Sequence, residues 1–173
     1  MEHDTRNVTD EFKGMPHEEI VQRLDGRGIE LEIAIENLTR DFNMGTIVRT
    51  ANAFGVRTVH VIGRRQWNKR GAMMTDTYLT VLYHTTVDEF VAATTGKTII
   101  AVDNITGSVP LAQVELPRQC VMVFGSEGPG ISTQLASRAS HTVAIEQFGS
   151  TRSLNVGVAA GIAMYAWVQR HAL

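Results

Sequence analysis

The stretch VMVFGSEGPGI, residues 121–131, runs from an apolar segment typical of a buried strand into a loop of three glycines and a proline, with a carboxylate, Glu127, at its centre. Strand-to-glycine turns of this kind open many phosphate sites, but the spacing here is G-x-x-G-x-G. A Walker loop needs G-x-x-x-x-G-K-[ST], with a lysine to neutralise phosphate, and the dinucleotide fingerprint needs G-x-G-x-x-G. Glu127 would repel a phosphate at short range. A neutral or cationic nucleoside ligand suits the loop better than a nucleotide phosphate. On this segment by itself, a tight strand-to-helix turn with Glu127 at a helix N-terminus is the other reading.

Around the loop, period and punctuation alternate between two types of element. LEIAIENL (31–38), TVHVIG (58–63), TIIAVDN (98–104), CVMVFG (120–125) and HTVAIE (141–146) read as short strands. MGTIVRTANAFG reads as a helix with Asn43 as its N-cap, a stripe of Met44, Ile47, Val48, Ala51 and Phe54, and Gly55 as its stop. Residues 86–94, 132–139 and 154–171 are further helix candidates. Strands alternating with helices predict an α/β fold: a mostly parallel sheet with helices on both faces. The last helix is apolar nearly all round until Gln169. Such a helix packs against more than one sheet face, and a second subunit is the economical partner; a path through its own core is the alternative.

The chain of 173 residues suits one domain with a sizeable core. No apolar run is long enough to span a bilayer, the acidic N-terminus lacks the apolar centre of a signal peptide, and the one cysteine, Cys120, fits a reducing compartment. These features predict a soluble, cytoplasmic protein with no membrane partner. Residues 1–36 hold ten acids and four bases, and residues 37–173 hold eight and twelve. Residues 1–30 read as an acidic extension, with a short helix at 17–24, attached to a domain spanning 31–173. The six histidines form no ligand pair with metal spacing, so no metal is expected. No G-x-S-x-G elbow is present, and Cys120 sits in an apolar run as a core residue would.

Two more segments matter when set beside the glycine loop. NMGTIVR (43–49) places Asn43 at a helix start and Arg49 on the flank of its apolar stripe. STRSLNV (150–156) places a polar cluster before the apolar helix. Singly, Asn43 and Ser153 read as caps, and Arg49 and Arg152 as solvated arginines. Together, in this order, the three segments resemble the SpoU/TrmH branch of the SPOUT superfamily, which are S-adenosylmethionine-dependent RNA 2′-O-ribose methyltransferases. The matching positions are Asn43, Gly45 and Arg49; Gly125, Glu127, Gly128 and Gly130; and S-L-N-V at 153–156. The resemblance covers about residues 31–171.

The resemblance implies a C-terminal trefoil knot, an exception to the rule against threaded loops, and a homodimer. It places S-adenosyl-L-methionine, the methyl donor, against Gly125, Ile145, Ser153 and Leu154. It makes Arg49 the central catalytic residue, with Asn43, Ser153, Asn155 and Glu127 around it and no metal. A guanidinium scarcely ever gives up its proton, so stabilising a developing alkoxide or clamping a phosphate stands beside the family's proposal of Arg49 as base. The implied partner is RNA, with tRNA ahead of rRNA. The basic stretch RRQWNKR offers Arg64, Arg65, Lys69 and Arg70 for phosphates and Trp67 as a stacking platform, with Arg152 beside the third motif; a solvated loop with Trp67 over core is the alternative. A non-catalytic RNA-binding homologue and a flavodoxin-like nucleotide module are the competing functional readings. Cofactor binding without methyl transfer would mark the first, and flavin or phosphate binding the second.

Overall fold

In a computed structural model, which describes residues 4–37 and 43–173, seven strands form one sheet in which every pairing is parallel. The elements are α1 (His17–Gly26), β1 (Leu31–Asn37), α2 (Asn43–Ala53), β2 (Thr58–Gly63), β3 (Thr80–His84), α3 (Val87–Ala93), β4 (Thr98–Val102), β5 (Val109–Pro110), β6 (Cys120–Phe124), α4 (Thr133–Ala136), β7 (His141–Ala144) and α5 (Val156–His171). The sheet order is β3-β2-β1-β6-β4-β7-β5. The five strands read from sequence are present. The first was expected to reach residue 38, which lies outside the described residues. β3 and β5 were not foreseen. Both are edge strands: β3 alternates between exposed and half-buried positions, and β5 is two residues long and ends in a proline, which an edge tolerates.

Alternate residues of the central strands face two cores. Ile33, Ile35, Val59, Val61, Ile100, Met122 and Phe124 pack with α2 and α5. Ala34, Ile62, Ala101, Val121 and Val123 pack with Phe90 of α3 and Leu135 of α4. A strand buried on both faces needs apolar residues at both parities, hence the continuous run at 120–124. In a parallel sheet all carboxyl ends lie on one edge. The order reverses beside β1, where the chain goes out through β2 and β3 and returns on the far side of β6. Ligands bind at such switch points in open α/β sheets.

α2 starts at Asn43 itself, so the expected cap is the first helical residue. The helix ends as anticipated: Gly55, at φ 84°, donates to Asn52, and Val56 donates to Ala51. Those two bonds satisfy the last carbonyls in a Schellman arrangement. α5 is capped by Asn155 rather than Ser153, its side-chain oxygen accepting from Gly157 and Val158. One face of α5 buries Ala160, Ala163, Met164 and Trp167, while Val158, Ile162 and Tyr165 are 54%, 41% and 45% exposed. The all-round apolarity of this helix therefore divides into one face on its own core and one open stripe.

Residues before β1 also pack. Phe12 and Ile20 meet Tyr78 in a small cluster apart from the main cores, and Arg57 joins the Asp25 carboxylate at 2.8 Å while donating to the Tyr78 carbonyl. The Asp4 carboxylate accepts from the Arg6 side chain and the Gly14 amide, which hold its pKa below the ordinary range. On the α3 side of the sheet, Glu32 contacts His60 at 2.9 Å, and His60 contacts His84 at 2.9 Å.

Burial, with the neighbouring His60, lowers the His84 pKa. The unfolded chain therefore binds a proton here that the folded chain resists, so stability is complete above about pH 6.5 and falls as pH drops through that value. Unfolding titrations in urea are expected to show this loss, and His84→Asn to flatten it. The α2–α5 contact supplies a second test. A Cβ at Gly161 would meet Thr50 at an ordinary 3.8 Å, whereas one at Gly157 would press Thr46 and the capping oxygen of Asn155 at 3.2 Å. Gly161→Ala is expected to raise stability by about 0.5–1 kcal/mol through helix propensity, and Gly157→Ala to raise it less or lower it.

Candidate active site

The glycine loop after β6 is folded back on itself by backbone contact. A Cβ at Gly125 would lie 2.1 Å from the carbonyl carbon of Gly130, so glycine is required there. The Gly130 amide donates to the Ser126 carbonyl at 3.0 Å, closing the turn around Glu127 and Gly128. Two carboxylates absent from the sequence reading hold this turn in place. Glu36, buried at the end of β1, accepts from the Ser132 amide at 2.7 Å and from its hydroxyl, while the Glu36 carbonyl accepts from Ser126 Oγ at 2.7 Å. Asp103, just past β4, accepts from the Ile131 amide at 2.9 Å. Glu36 and Asp103 therefore order the loop, leaving Glu127 exposed at its tip to do something else.

Glu127 accepts from Asn43 Nδ2 at 2.8 Å, and Asn43 Oδ1 accepts from Asn155 Nδ2 at 2.9 Å. Asn155 in turn caps α5. One side chain from each of the three motifs is thus joined in a continuous chain, although the residues lie 84 and 112 positions apart. The amide orientation of Asn43 follows from this order, with its nitrogen toward the carboxylate.

Behind this chain lies a cavity of about 330 Å³ at the carboxyl ends of β4, β6 and β7. Asp103 and Asn104 line it after β4, Gly125 to Gly128 and Gly130 after β6, and Ile145 and Gln147 after β7; Ser153, Leu154 and Asn155 close it ahead of α5. The four positions expected to hold the methyl donor, Gly125, Ile145, Ser153 and Leu154, all lie on this one lining. Its ionisable side chains are two carboxylates, Asp103 and Glu127, with no lysine, arginine or histidine among the lining residues. Such a surface opposes a phosphate and favours a cation. Gln147 Oε1 is buried without a hydrogen-bond partner, which leaves an acceptor available in the wall of the cavity. Asp103, Asn104 and Gln147 were missed in the sequence; a carboxylate directly after an apolar strand, as in AVDN, was the available signal for the first two. Among the described residues, no group of three or more His, Cys, Asp or Glu could hold a metal ion.

Arg49 is placed differently. It is exposed on α2, outside the cavity lining, and none of the side-chain hydrogen bonds or ion pairs among the described residues engages it. It lies between Thr46 and Thr50, which face Gly157 and Gly161 of α5, so it flanks the seam beside the open apolar stripe. Arg152 is exposed on the loop before α5, and its carbonyl accepts from Asn104 at 3.1 Å.

The basic loop after β2 is anchored to the first motif. A Cβ at Gly45 would meet the Ala72 amide nitrogen at 2.7 Å and the Gly71 backbone at 2.8 Å, so that motif glycine permits the loop to lie on α2. Arg64, Arg65, Lys69 and Arg70 are exposed. Lys69 pairs with Asp76 at 2.9 Å and sits over Trp67, and Arg65 sits over Tyr83. Trp67 itself packs partly on the main core and donates to Tyr83, so its ring is committed to the protein more than to solvent.

These features define a parallel α/β domain with a carboxylate-lined cavity at the carboxyl ends of β4, β6 and β7, which suits a cation better than a phosphate. The sequence model of the SpoU rRNA Methylase family matches residues 30–165, and the chain belongs to that family. It is 27% identical over 151 residues to tRNA (guanosine(18)-2′-O)-methyltransferase of Escherichia coli strain K12, covering 84% of this chain and 66% of that enzyme. It is 33% identical over 144 residues to an uncharacterized tRNA/rRNA methyltransferase of Synechocystis, covering 77% of this chain and 36% of that protein. The chain thus spans at most about two thirds of these two relatives. Among solved structures, a TrmH/SpoU tRNA modifying enzyme of A. aeolicus superposes with a TM-score of 0.77 at 24% identity, over 89% of this chain and 83% of that one. An AdoMet-bound rRNA methyltransferase of Sinorhizobium meliloti gives 0.73 at 24% identity, over 83% and 57%.

The two roles of Asn155 can be separated. Asn155→Ala is expected to cost about 1 kcal/mol in unfolding experiments through loss of the cap, whereas Asn155→Asp keeps a good cap and is expected to cost much less while breaking the bond to Asn43.

Proposed function

We propose that this chain is an S-adenosylmethionine-dependent RNA methyltransferase that acts on a ribose 2′-hydroxyl, with tRNA the favoured substrate and the cytoplasm its place of work. The hydrogen-bonded chain from Glu127 through Asn43 to Asn155, at the mouth of a cavity whose ionisable lining is entirely carboxylate, carries this reading. The tRNA preference rests on the activity named for the Escherichia coli relative. Residues 31–173 are the methyltransferase domain in this proposal, residues 1–30 an added segment, and the C-terminal threading of the family's knot belongs to it.

The donor fits what the cavity offers. Its sulfonium and ammonium groups are cations, matched by Asp103 and Glu127, and Gln147 Oε1 can accept from an amino group. Gly125 admits the backbone to close approach. When bound, S-adenosylmethionine would supply a methyl group to an oxygen aligned opposite the methyl–sulfur bond, the carbon–oxygen bond forming as the carbon–sulfur bond breaks and the neutral thioether leaves. The protein must then aim the ribose hydroxyl and favour loss of its proton. Asn43, fixed between Glu127 and Asn155, and Ser153 on the cavity wall are the groups placed to orient the nucleotide. Arg49 supplies positive charge for the adjacent phosphate and the developing alkoxide.

Arg49 stands outside its own cavity, and this fits a homodimer. A second copy seated on Val158, Ile162 and Tyr165 would cover the open stripe of α5 and bring Arg49 to the boundary between two subunits. Mapping of ribose methylation in total RNA, with and without the active protein, tests the function. The expected result is one or more sites lost without it and not restored by Arg49→Ala, while calorimetric donor affinity in that variant stays within about two-fold. Ile162→Glu is expected to give monomers in sedimentation and to lose methyl transfer. Undiminished turnover by Arg49→Ala would overturn the role assigned to that residue.

A further inference from the structure

Between β2 and β3 the chain turns outward at two consecutive methionines. Ala72 is fully buried and Thr75 is 5% exposed, and Thr75 Oγ1 donates to the Ala72 carbonyl at 2.6 Å. Closing so short a span puts the two residues between them into left-handed backbone, with φ of 49° at Met73 and 64° at Met74. These are the two non-glycine residues with positive φ among the described residues. Glycine adopts that conformation without strain, and methionine does not. Their side chains are 52% and 73% exposed. Within the single chain, then, the strained backbone presents apolar surface that buries little.

The outward turn is held from both sides. Gly71 lies against Gly45 and Thr46 of α2, two residues from Asn43. Beyond the turn, Tyr78 enters the Phe12 and Ile20 cluster, and its ring lies 5.0 Å from that of His17. The N-terminal segment thus braces the turn from behind. Arg70, whose carbonyl accepts from the Met73 amide, is exposed and, among the described residues, in no ion pair, while Asp76 just beyond the turn is neutralised by Lys69. Backbone strain that surrounding structure maintains is characteristic of ligand contacts.

We propose that Met73 and Met74 form an apolar contact for an unpaired base of the RNA substrate, presented beside the candidate active site by these two anchors. This rests on the RNA reading above. Flexible, polarizable thioethers pack on the faces of rings of varied shape, and Arg70 beside the turn can take a neighbouring phosphate. The same positive charge matches a polyanion and opposes a self-paired contact between two copies of this patch.

The test is the double variant Met73→Gly/Met74→Gly, which keeps the left-handed turn and removes both side chains, with Met73→Gln/Met74→Gln as a size-conserving control. In the glycine variant the melting temperature is expected to equal or exceed the parent's, with donor affinity unchanged. Affinity for total tRNA at fixed salt should fall about ten-fold in both variants. The slope of log affinity against log salt should stay the same, whereas Arg70→Gln should reduce it by about one. Affinity for a fully paired RNA duplex should not change. Unchanged tRNA affinity, or an equal loss on the duplex, would overturn the proposal. Dissociation into monomers would overturn it in favour of a second copy as the occupant. A parent protein that binds no RNA and transfers no methyl group would overturn the underlying reading as well, and is seen before any variant is compared.

Discussion

The backbone of Gly125 lies against the backbone of Gly130 and Ile131, closer than any side chain would allow, and the candidate site is built from that contact. It turns the chain sharply at the end of β6, so that the loop rises over the carboxyl edge of the sheet with Glu127 at its tip. The contact holds because buried groups outside the loop satisfy it. Glu36 of β1 and Asp103 after β4 each accept a backbone amide just beyond the turn, at Ser132 and Ile131. Three adjacent strands therefore fix one loop, and the sheet's rigidity passes to it.

A division of labour among carboxylates follows. A strand-to-glycine turn with an acid at its centre looks as if that acid should order the turn. Here the ordering falls to acids elsewhere, and the central one is left to accept from Asn43. Asn155 shows the same economy from the other side, since one amide group caps α5 through its oxygen and reaches Asn43 through its nitrogen. Stability and site geometry are thus linked at Asn155 by its two ends, which is why a substitution there can separate them.

The electrostatics of the cavity and of its surroundings differ in sign. The cavity presents Asp103 and Glu127, while Arg49, Arg152 and the 64–70 loop carry positive charge outside it. A cationic donor and a polyanionic acceptor would each meet the opposite charge, and each would be repelled from the other's place. Gly45 and Gly71 keep the basic loop against the first motif, so the two fields stay adjacent.

Much of this was legible in the sequence. Strands alternating with helices announced a covered parallel sheet, and the stripe at Met44, Ile47, Val48 and Ala51 with Gly55 beyond it marked α2 and its end. The glycines at 125 and 130 and the missing lysine argued against phosphate. β3 and β5 were not legible, because edge strands bury little and carry a weak alternation. Nor were Glu36, Asp103 and Gln147, each of which is isolated in sequence and acquires a partner, or an unpaired acceptor in a cavity wall, through strand order. Ser153 was read as the helix cap, and the backbone instead brings the Asn155 side chain to Gly157. The sequence by itself determined the elements that local period and backbone chemistry dictate, and the residue types of the three motifs. Tertiary structure decided which of those residues meet, because hydrogen bonds across 84 and 112 positions depend on the order of strands in the sheet, which no local pattern encodes.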